Sequence, residues 1–263
     1  MDWLQILFLS LVQGLTEFLP ISSSAHLVLP AQLTDWPDQG LAFDVGVHFG
    51  TLIAVIAYFR VELSRMAVSA ITYPAQRQYN TDIDMMLKLA LATLPVAVMG
   101  FVAKDFVEAN LRSVPVIAAA TITFAGALWF ADRRPGAADT PQWGHAAFIG
   151  LAQVLALVPG TSRSGITITA ALLVGLSRTA AARFSFLLAI PTIAGAQLLL
   201  SLDLLQADAD RAWMDMVSGA VIAGTAAYLC IHYFIALVER TGMLPYVVYR
   251  VLLGGFLLAI YYG

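Results

Sequence analysis

Six apolar stretches long enough to cross a bilayer, and two more that break halfway, dictate what this chain can become. A spanning helix needs about 20 mostly apolar residues. The stretches near 41–60, 86–103, 113–131, 183–201, 216–238 and 245–262 meet that need. The regions 3–33 and 145–177 are equally apolar but are interrupted by Pro, Gly and Ser, and neither half of either region can cross alone. Non-helical backbone survives at membrane depth only where protein buries it or where it lines a wet cavity. Both regions therefore read as re-entrant helix–loop–helix hairpins. The expected fold is an all-α polytopic membrane protein with one membrane domain over 1–263, six transmembrane helices and two such hairpins.

Composition agrees. Of 263 residues, 60% are hydrophobic and 12% charged, where soluble domains carry about 25% charge. The net charge of −3, with no basic run, gives no reason to expect a nucleic acid partner. A lone cysteine, Cys230, permits no disulfide within the chain. Met1-Asp2-Trp3 lacks the basic start of a cleaved leader, so the N-terminus is expected to stay in the mature protein.

Lys and Arg set the orientation, because cytoplasmic loops are enriched in them. One family of loops holds Arg60, Arg65, Arg77, Lys88, Arg133, Arg134, Arg178, Arg183, Arg240 and Arg250; the other holds Lys104, Arg112 and Arg211. Both termini should then lie outside, with the first hairpin entering from outside and the second from inside. That is an inverted repeat, with halves near 1–131 and 145–263. Leu11-Val12-Gln13 echoes Leu151-Ala152-Gln153, and Pro20-Ile21-Ser22-Ser23-Ser24 echoes Pro159-Gly160-Thr161-Ser162-Arg163. Inverted repeats with broken helices meeting near the midplane also characterise transporters.

The two breaks hold the polar chemistry. The first runs Gln13-Gly14-Leu15-Thr16-Glu17-Phe18-Leu19-Pro20-Ile21-Ser22-Ser23-Ser24-Ala25-His26, the second Pro159-Gly160-Thr161-Ser162-Arg163-Ser164-Gly165-Ile166-Thr167. An ionised side chain at membrane depth costs roughly 2.5–3.5 kcal/mol on insertion scales and marks function by default. Helix starts rich in Ser, Thr and Gly leave backbone N–H groups free with the positive dipole end aimed into the loop. Arg163 can grip phosphate oxygens at two points. Ser22, Ser24, Thr161, Ser162, Ser164, Gly165 and Thr167 are the expected phosphate binders. Gln13 and Glu17, four apart, share a helix face. Glu17 alone would repel an anion, so it either holds a divalent cation that bridges phosphates, for which Mg²⁺ suits, or acts as a base. Ser23 or a water could attack, with His26 or Glu17 taking the proton. Asp44 and His48, on one face of the first full span, are candidates to line the same cavity. The hairpin tips should meet, since a buried Arg needs an anionic partner and the first hairpin supplies it.

These two motifs resemble the signatures of bacterial undecaprenyl-pyrophosphate phosphatases, the family linked to bacitracin resistance. The resemblance continues through Ser177-Arg178 and Phe184-Ser185-Phe186-Leu187-Leu188-Ala189-Ile190-Pro191. It implies an inner-membrane hydrolase that removes one phosphate from undecaprenyl pyrophosphate, recycling the lipid carrier of peptidoglycan precursors. It implies a Mg²⁺ or Ca²⁺ cofactor, an active site open to the periplasm, a polyprenyl pyrophosphate substrate drawn from the membrane lipids, and catalytic roles for Glu17, Ser23, His26, Arg163 and Thr167. A homodimer is left open. Gln13 departs from the pattern, since many members carry Glu there. The rival reading is a lipid-carrier flippase or transporter using the same anion site. The other phosphatase class for this lipid, the type-2 phosphatidic-acid phosphatases, needs a motif in which Ser-Arg is followed by His and Asp, and Arg163 is followed by no such His.

Overall fold

A computed structural model describes the chain except for residues 24, 28–35, 37–38, 77–78, 134–135 and 207–212. Among the described residues the structure is helical, with one isolated bridge between Ala138 and Leu176 in place of any strand. Helix α1 (Trp3–Thr16) starts on a capping box: Gln5 N donates to Asp2 Oδ1 at 2.8 Å and Asp2 N to Gln5 Oε1 at 3.2 Å. It ends before Pro20, and after a turn the chain is helical again at Ser23 and at 25–27. Then come α2 (Gly40–Tyr58), α3 (Arg60–Gln76), α4 (Thr81–Val102), the short α5 (Lys104–Asn110) and α6 (Val114–Asp132). The second broken region is α7 (Trp143–Gln153), a 3₁₀ turn (Val154–Leu157), a tip, and α8 (Arg163–Leu173). Helices α9 (Arg178–Gln206), α10 (Trp213–Thr241) and α11 (Leu244–Tyr262) complete the chain.

Six helices are long and apolar enough to cross a membrane: α2, α4, α6, α9 as far as Leu202, α10 and α11. They are the six stretches expected from hydropathy. Several extend past the apolar core, because helical hydrogen bonding continues through charged flanks such as Asp82 and Asp84 on α4 and Glu239 and Arg240 on α10. Large apolar side chains cover the outside, with Ile71 77%, Phe101 76% and Leu252 67% exposed, a surface suited to lipid rather than water.

Hydropathy gave no sign of α3. It carries Arg60, Glu62 and Arg65 in its first turns, and distant charges hold it: Arg183 on α9 meets Glu62 at 2.6 Å, and Ser69 donates to Asp82 at 3.4 Å. Arg250 corrects the charge count. Placed with the loop cations above, it is fully buried on α11. Nine cations against three still favour the same orientation.

Small residues let the broken helices press against spans. Helix α1 packs on α10, where a Cβ on Gly14 would stand 2.8 Å from Ala226 Cβ; α7 packs on α4, where one on Gly150 would stand 2.6 Å from Ala92 Cα. Apolar helices gain little by leaving lipid for each other, so close backbone approach does the work that hydrophobic burial does in water. The largest core cluster surrounds the breaks, with Phe18 edge-on to Phe186 at 5.4 Å and Phe186 against Phe234 at 5.5 Å.

Candidate active site

The two tips share a backbone signature. Among the described residues, Ser22 (φ 72°) and Ser162 (φ 70°) are the non-glycine positions in the left-handed region. Such a conformation costs an L-residue about 1–3 kcal/mol and persists only where surroundings over-determine it. Each serine immediately precedes a helix. Ser162 Oγ caps α8 by accepting Gly165 N at 3.1 Å. Ser22 matches Ser162 with the spacing that separates Gln13 from Gln153, one residue away from the Pro20–Pro159 echo.

The tips meet. Arg163, at the first position of α8, reaches across to Glu17, with Nη2 3.1 Å from Oε1 and the side chains only 13% and 10% exposed. Its Nη1 donates to Ser185 O at 3.4 Å, and its guanidinium carbon lies 5.9 Å from the Phe18 ring centre. The other Glu17 oxygen, Oε2, accepts Gln13 Nε2 at 2.9 Å and Ser23 Oγ at 3.2 Å. Ser164 Oγ adds a second seam, donating to Leu19 O at 2.9 Å. A cation in the first turn of a helix opposes the helix dipole. Its presence is favourable once an anion, here Glu17, sits between the tips.

A cavity of about 300 Å³ opens beside this pair, lined by Glu17, Ser22, Ser23, Ser162, Arg163, His48, Thr16, Thr192 and Gln197 among others. Six of the expected site residues therefore face one space. Others do not line it. Thr161, Ser164 and Thr167 are buried. Thr167 Oγ1 pairs with Ser185 Oγ at 2.6 Å and donates to Arg163 O at 2.9 Å, so it braces the arginine from behind. Gly165 gives space rather than contact, as shown below. Gln13 is buried behind Glu17. Asp44 sits one turn from His48 and accepts Gln39 Nε2 at 3.2 Å, while His48 Nδ1 donates to Asp44 O at 2.8 Å. His26 is not among the residues that line the cavity. Its Nδ1 bonds Ser22 O at 2.7 Å and so carries the proton, and its Nε2 meets Tyr249 Oη at 2.6 Å with the rings stacked 5.5 Å apart. Ser24 lies outside the described residues.

Some members of the site had not been singled out. Thr192 donates to Gln153 Oε1 at 3.3 Å, and Gln197 Nε2 to Val45 O at 2.7 Å. A Gln inside an apolar span was the available signal for Gln197. For Tyr249 and Arg250 there was none, because their partners lie in distant segments.

Among the described residues no group of three or more His, Cys, Asp or Glu gathers to hold a metal. One carboxylate is present, Glu17, and the buried Oε1 of Gln13 beside it has no partner. That donor set fits a hard cation completed by substrate phosphate oxygens and water, not a site built wholly from protein.

Six spanning helices around a guanidinium–carboxylate pair at two helix breaks define a multi-pass membrane protein with a polar cavity beside that pair. The chain belongs to the family of bacitracin resistance protein BacA, whose profile matches residues 6–256. It is 54% identical over 257 residues to an undecaprenyl-diphosphatase of Alcanivorax borkumensis, covering 97% of each chain. It is 49% identical over 261 residues to an undecaprenyl-diphosphatase of Alteromonas mediterranea, covering 98% of each.

Proposed function

We propose that this protein hydrolyses undecaprenyl pyrophosphate to undecaprenyl phosphate and inorganic phosphate. The observation that carries the reading is the Arg163–Glu17 pair facing a hydroxyl-lined cavity where two apolar helices break. Arg163 and the Ser22 and Ser162 tips bind the pyrophosphate. Glu17 Oε2, already the acceptor for Ser23 Oγ, takes the proton of the attacking hydroxyl. The new P–O bond forms between the attacking oxygen, of Ser23 or of a water, and the terminal phosphorus as the anhydride P–O bond breaks and the prenyl monophosphate leaves; where Ser23 attacks, a water then cleaves the phosphoserine, releasing inorganic phosphate and restoring the hydroxyl. His26 holds the first tip through Ser22 O and Tyr249. An apolar groove of about 570 Å³ between α4, α5 and α9 shares Thr192, Ala196 and Leu200 with the polar cavity. It supplies an apolar exit for a prenyl tail, which supports a lipid substrate over a soluble phosphate ester.

Glu17, with Gln13 Oε1 behind it, would hold a Mg²⁺ or Ca²⁺ ion shared with the phosphates. Such an ion neutralises charge that Glu17 and the pyrophosphate otherwise set against each other. Chelation after metal removal should lower phosphate release about 10²-fold or more, with recovery on adding Mg²⁺. Full activity in chelator would end the metal role. Gln13→Glu places a carboxylate where an amide nitrogen now stands 2.9 Å from Glu17 Oε2. The added negative charge should lower the Mg²⁺ concentration for half-maximal rate several-fold, read from a cation titration. An unchanged titration would remove Gln13 from the cation's surroundings.

The orientation follows from the loop cations: both termini and the cavity mouth on the periplasmic side of the inner membrane. The inverted repeat is supported by the matched Ser22 and Ser162 backbones and by the matched packing of α1 on α10 and α7 on α4. A flippase or transporter with the same anion site is the competing reading. Phosphate release by purified protein in detergent, where no membrane separates two sides, decides for the hydrolase; binding without release decides for the rival.

A further inference from the structure

Among the described residues, a fully buried cation that the proposed chemistry leaves unused is Arg250. It is fully buried on α11, it is absent from the lining of the cavity, and among the described residues no carboxylate pairs with it. Its partners are four backbone carbonyls. Nη1 donates to Pro20 O at 3.3 Å, Nη2 to Gly160 O at 3.0 Å and to Thr161 O at 2.9 Å, and Nε to Thr121 O at 3.2 Å. Pro20 belongs to the first tip, Gly160 and Thr161 to the second, and Thr121 to α6. One planar group therefore ties both breaks to each other and to a spanning helix. Pro20, Gly160 and Thr161 lie on irregular backbone at the breaks, where carbonyls lack helical partners and are costly to bury unpaired, while Thr121 lies within α6 and its Oγ1 also donates to Gly160 O at 3.2 Å.

Gly165 belongs to the same construction. A Cβ there would stand 2.7 Å from Arg250 Nη1 and 3.0 Å from Ser162 Cβ. The glycine of the second motif thus makes room for the guanidinium beneath the first turn of α8. Tyr249, next to Arg250, holds His26 Nε2 at 2.6 Å, so α11 fastens the first tip at a second point.

We propose that Arg250 is a positioning residue that locks the two hairpin tips in register, so that Glu17 and Arg163 face one substrate from opposite halves. The proposal rests on the phosphatase reading for its kinetic test but not for its structural one. A guanidinium is required because its donors diverge in a plane to reach carbonyls on separate segments. An ammonium concentrates its donors at one point and cannot span them. A buried cation without an anionic partner is costly, and a purely apolar contact between the tips would avoid that cost but would give the carbonyls of Pro20 and Thr161 no guanidinium donor.

The experiment compares Arg250→Lys, Gly165→Ala and the double variant with the parent in detergent, measuring steady-state phosphate release from undecaprenyl pyrophosphate and backbone hydrogen exchange by mass spectrometry. Each single variant should lose kcat about 10²-fold, the cost of an ångström-scale misplacement, while KM stays within about threefold. The double variant should fall no more than about twofold below the worse single, because both act through one contact. Exchange should quicken in peptides covering 17–23 and 158–166 and stay at parental rates in α4 and α10. Where Arg250→Lys yields no monodisperse protein, Gly165→Ala carries the test alone. The proposal is overturned by kcat within about threefold of the parent, by a rise in KM with kcat unchanged, or by exchange that quickens equally across all helices. A parent without phosphate release would sink the phosphatase reading, and the exchange pattern would still decide the role of Arg250.

Discussion

Arg163→Lys should leave the protein folded and nearly inactive. Arg163 makes two kinds of contact with different demands. Its pairing with Glu17 at 3.1 Å needs only positive charge, and an ammonium in the same place can supply that. Its bond to Ser185 O and its reach into the cavity need the planar fork, because Nη1 and Nη2 point to different partners at once. Lysine keeps the charge that prevents an isolated buried carboxylate, which otherwise costs about 3–5 kcal/mol. It loses the two-point grip that follows phosphate oxygens as charge develops. Removing one preorganised donor from a water-poor site typically costs about 10²–10³ in rate. The variant should therefore elute as the parent does from size exclusion and release phosphate at least about 10²-fold more slowly. A folded lysine variant within about twofold of the parent would remove Arg163 from the reacting centre.

How much of this could be read beforehand follows from what enforces each feature. The bilayer enforces the spans, so hydropathy located α2, α4, α6, α9, α10 and α11 to within a few residues at most ends. The meeting of Glu17 and Arg163 was also legible, since an arginine at a break in an apolar helix needs an anion and Glu17 was the carboxylate at the other break. Features that depend on a single distant partner were not. Arg250 looks from its neighbours like a cation near the end of a span, and only the convergence of Pro20, Gly160, Thr161 and Thr121 shows why it is buried. His26, read beside Glu17 as a candidate to take the proton, has a partner that the sequence does not show. Tyr249, from a helix more than two hundred residues on, draws its Nε2 elsewhere. Helix α3 lacks the long apolar run that marks a span, and is held instead by Arg183 and Asp82. The hydroxyl run at the second tip reads as a set of phosphate binders, and part of it is engaged within the protein: Ser162 Oγ caps α8 by accepting Gly165 N, while Thr167 Oγ1 donates to Arg163 O and pairs with Ser185 Oγ.

Glu17→Gln should separate catalysis from binding. In the resting protein Glu17 is the most contested group in the cavity, with Oε1 held by Arg163 and Oε2 by both Gln13 and Ser23. An incoming pyrophosphate competes with that carboxylate for the same guanidinium and is repelled by it. The isosteric amide keeps the shape, can still accept from Arg163, and removes both the repulsion and the proton acceptor. Loss of a positioned base alone is worth about 10²–10⁴ in rate, so kcat should fall about 10³-fold. In chelator, where no cation can bridge carboxylate and phosphate, a non-hydrolysable bisphosphonate analogue should bind Glu17→Gln at least as tightly as the parent. With Mg²⁺ present the parent should regain the advantage, because a carboxylate would hold such an ion more tightly than the neutral amide. Analogue affinity that falls with the rate in chelator as well would mean that Glu17 holds the substrate directly, and the division of labour between a gripping Arg163 and a proton-taking Glu17 would have to be abandoned.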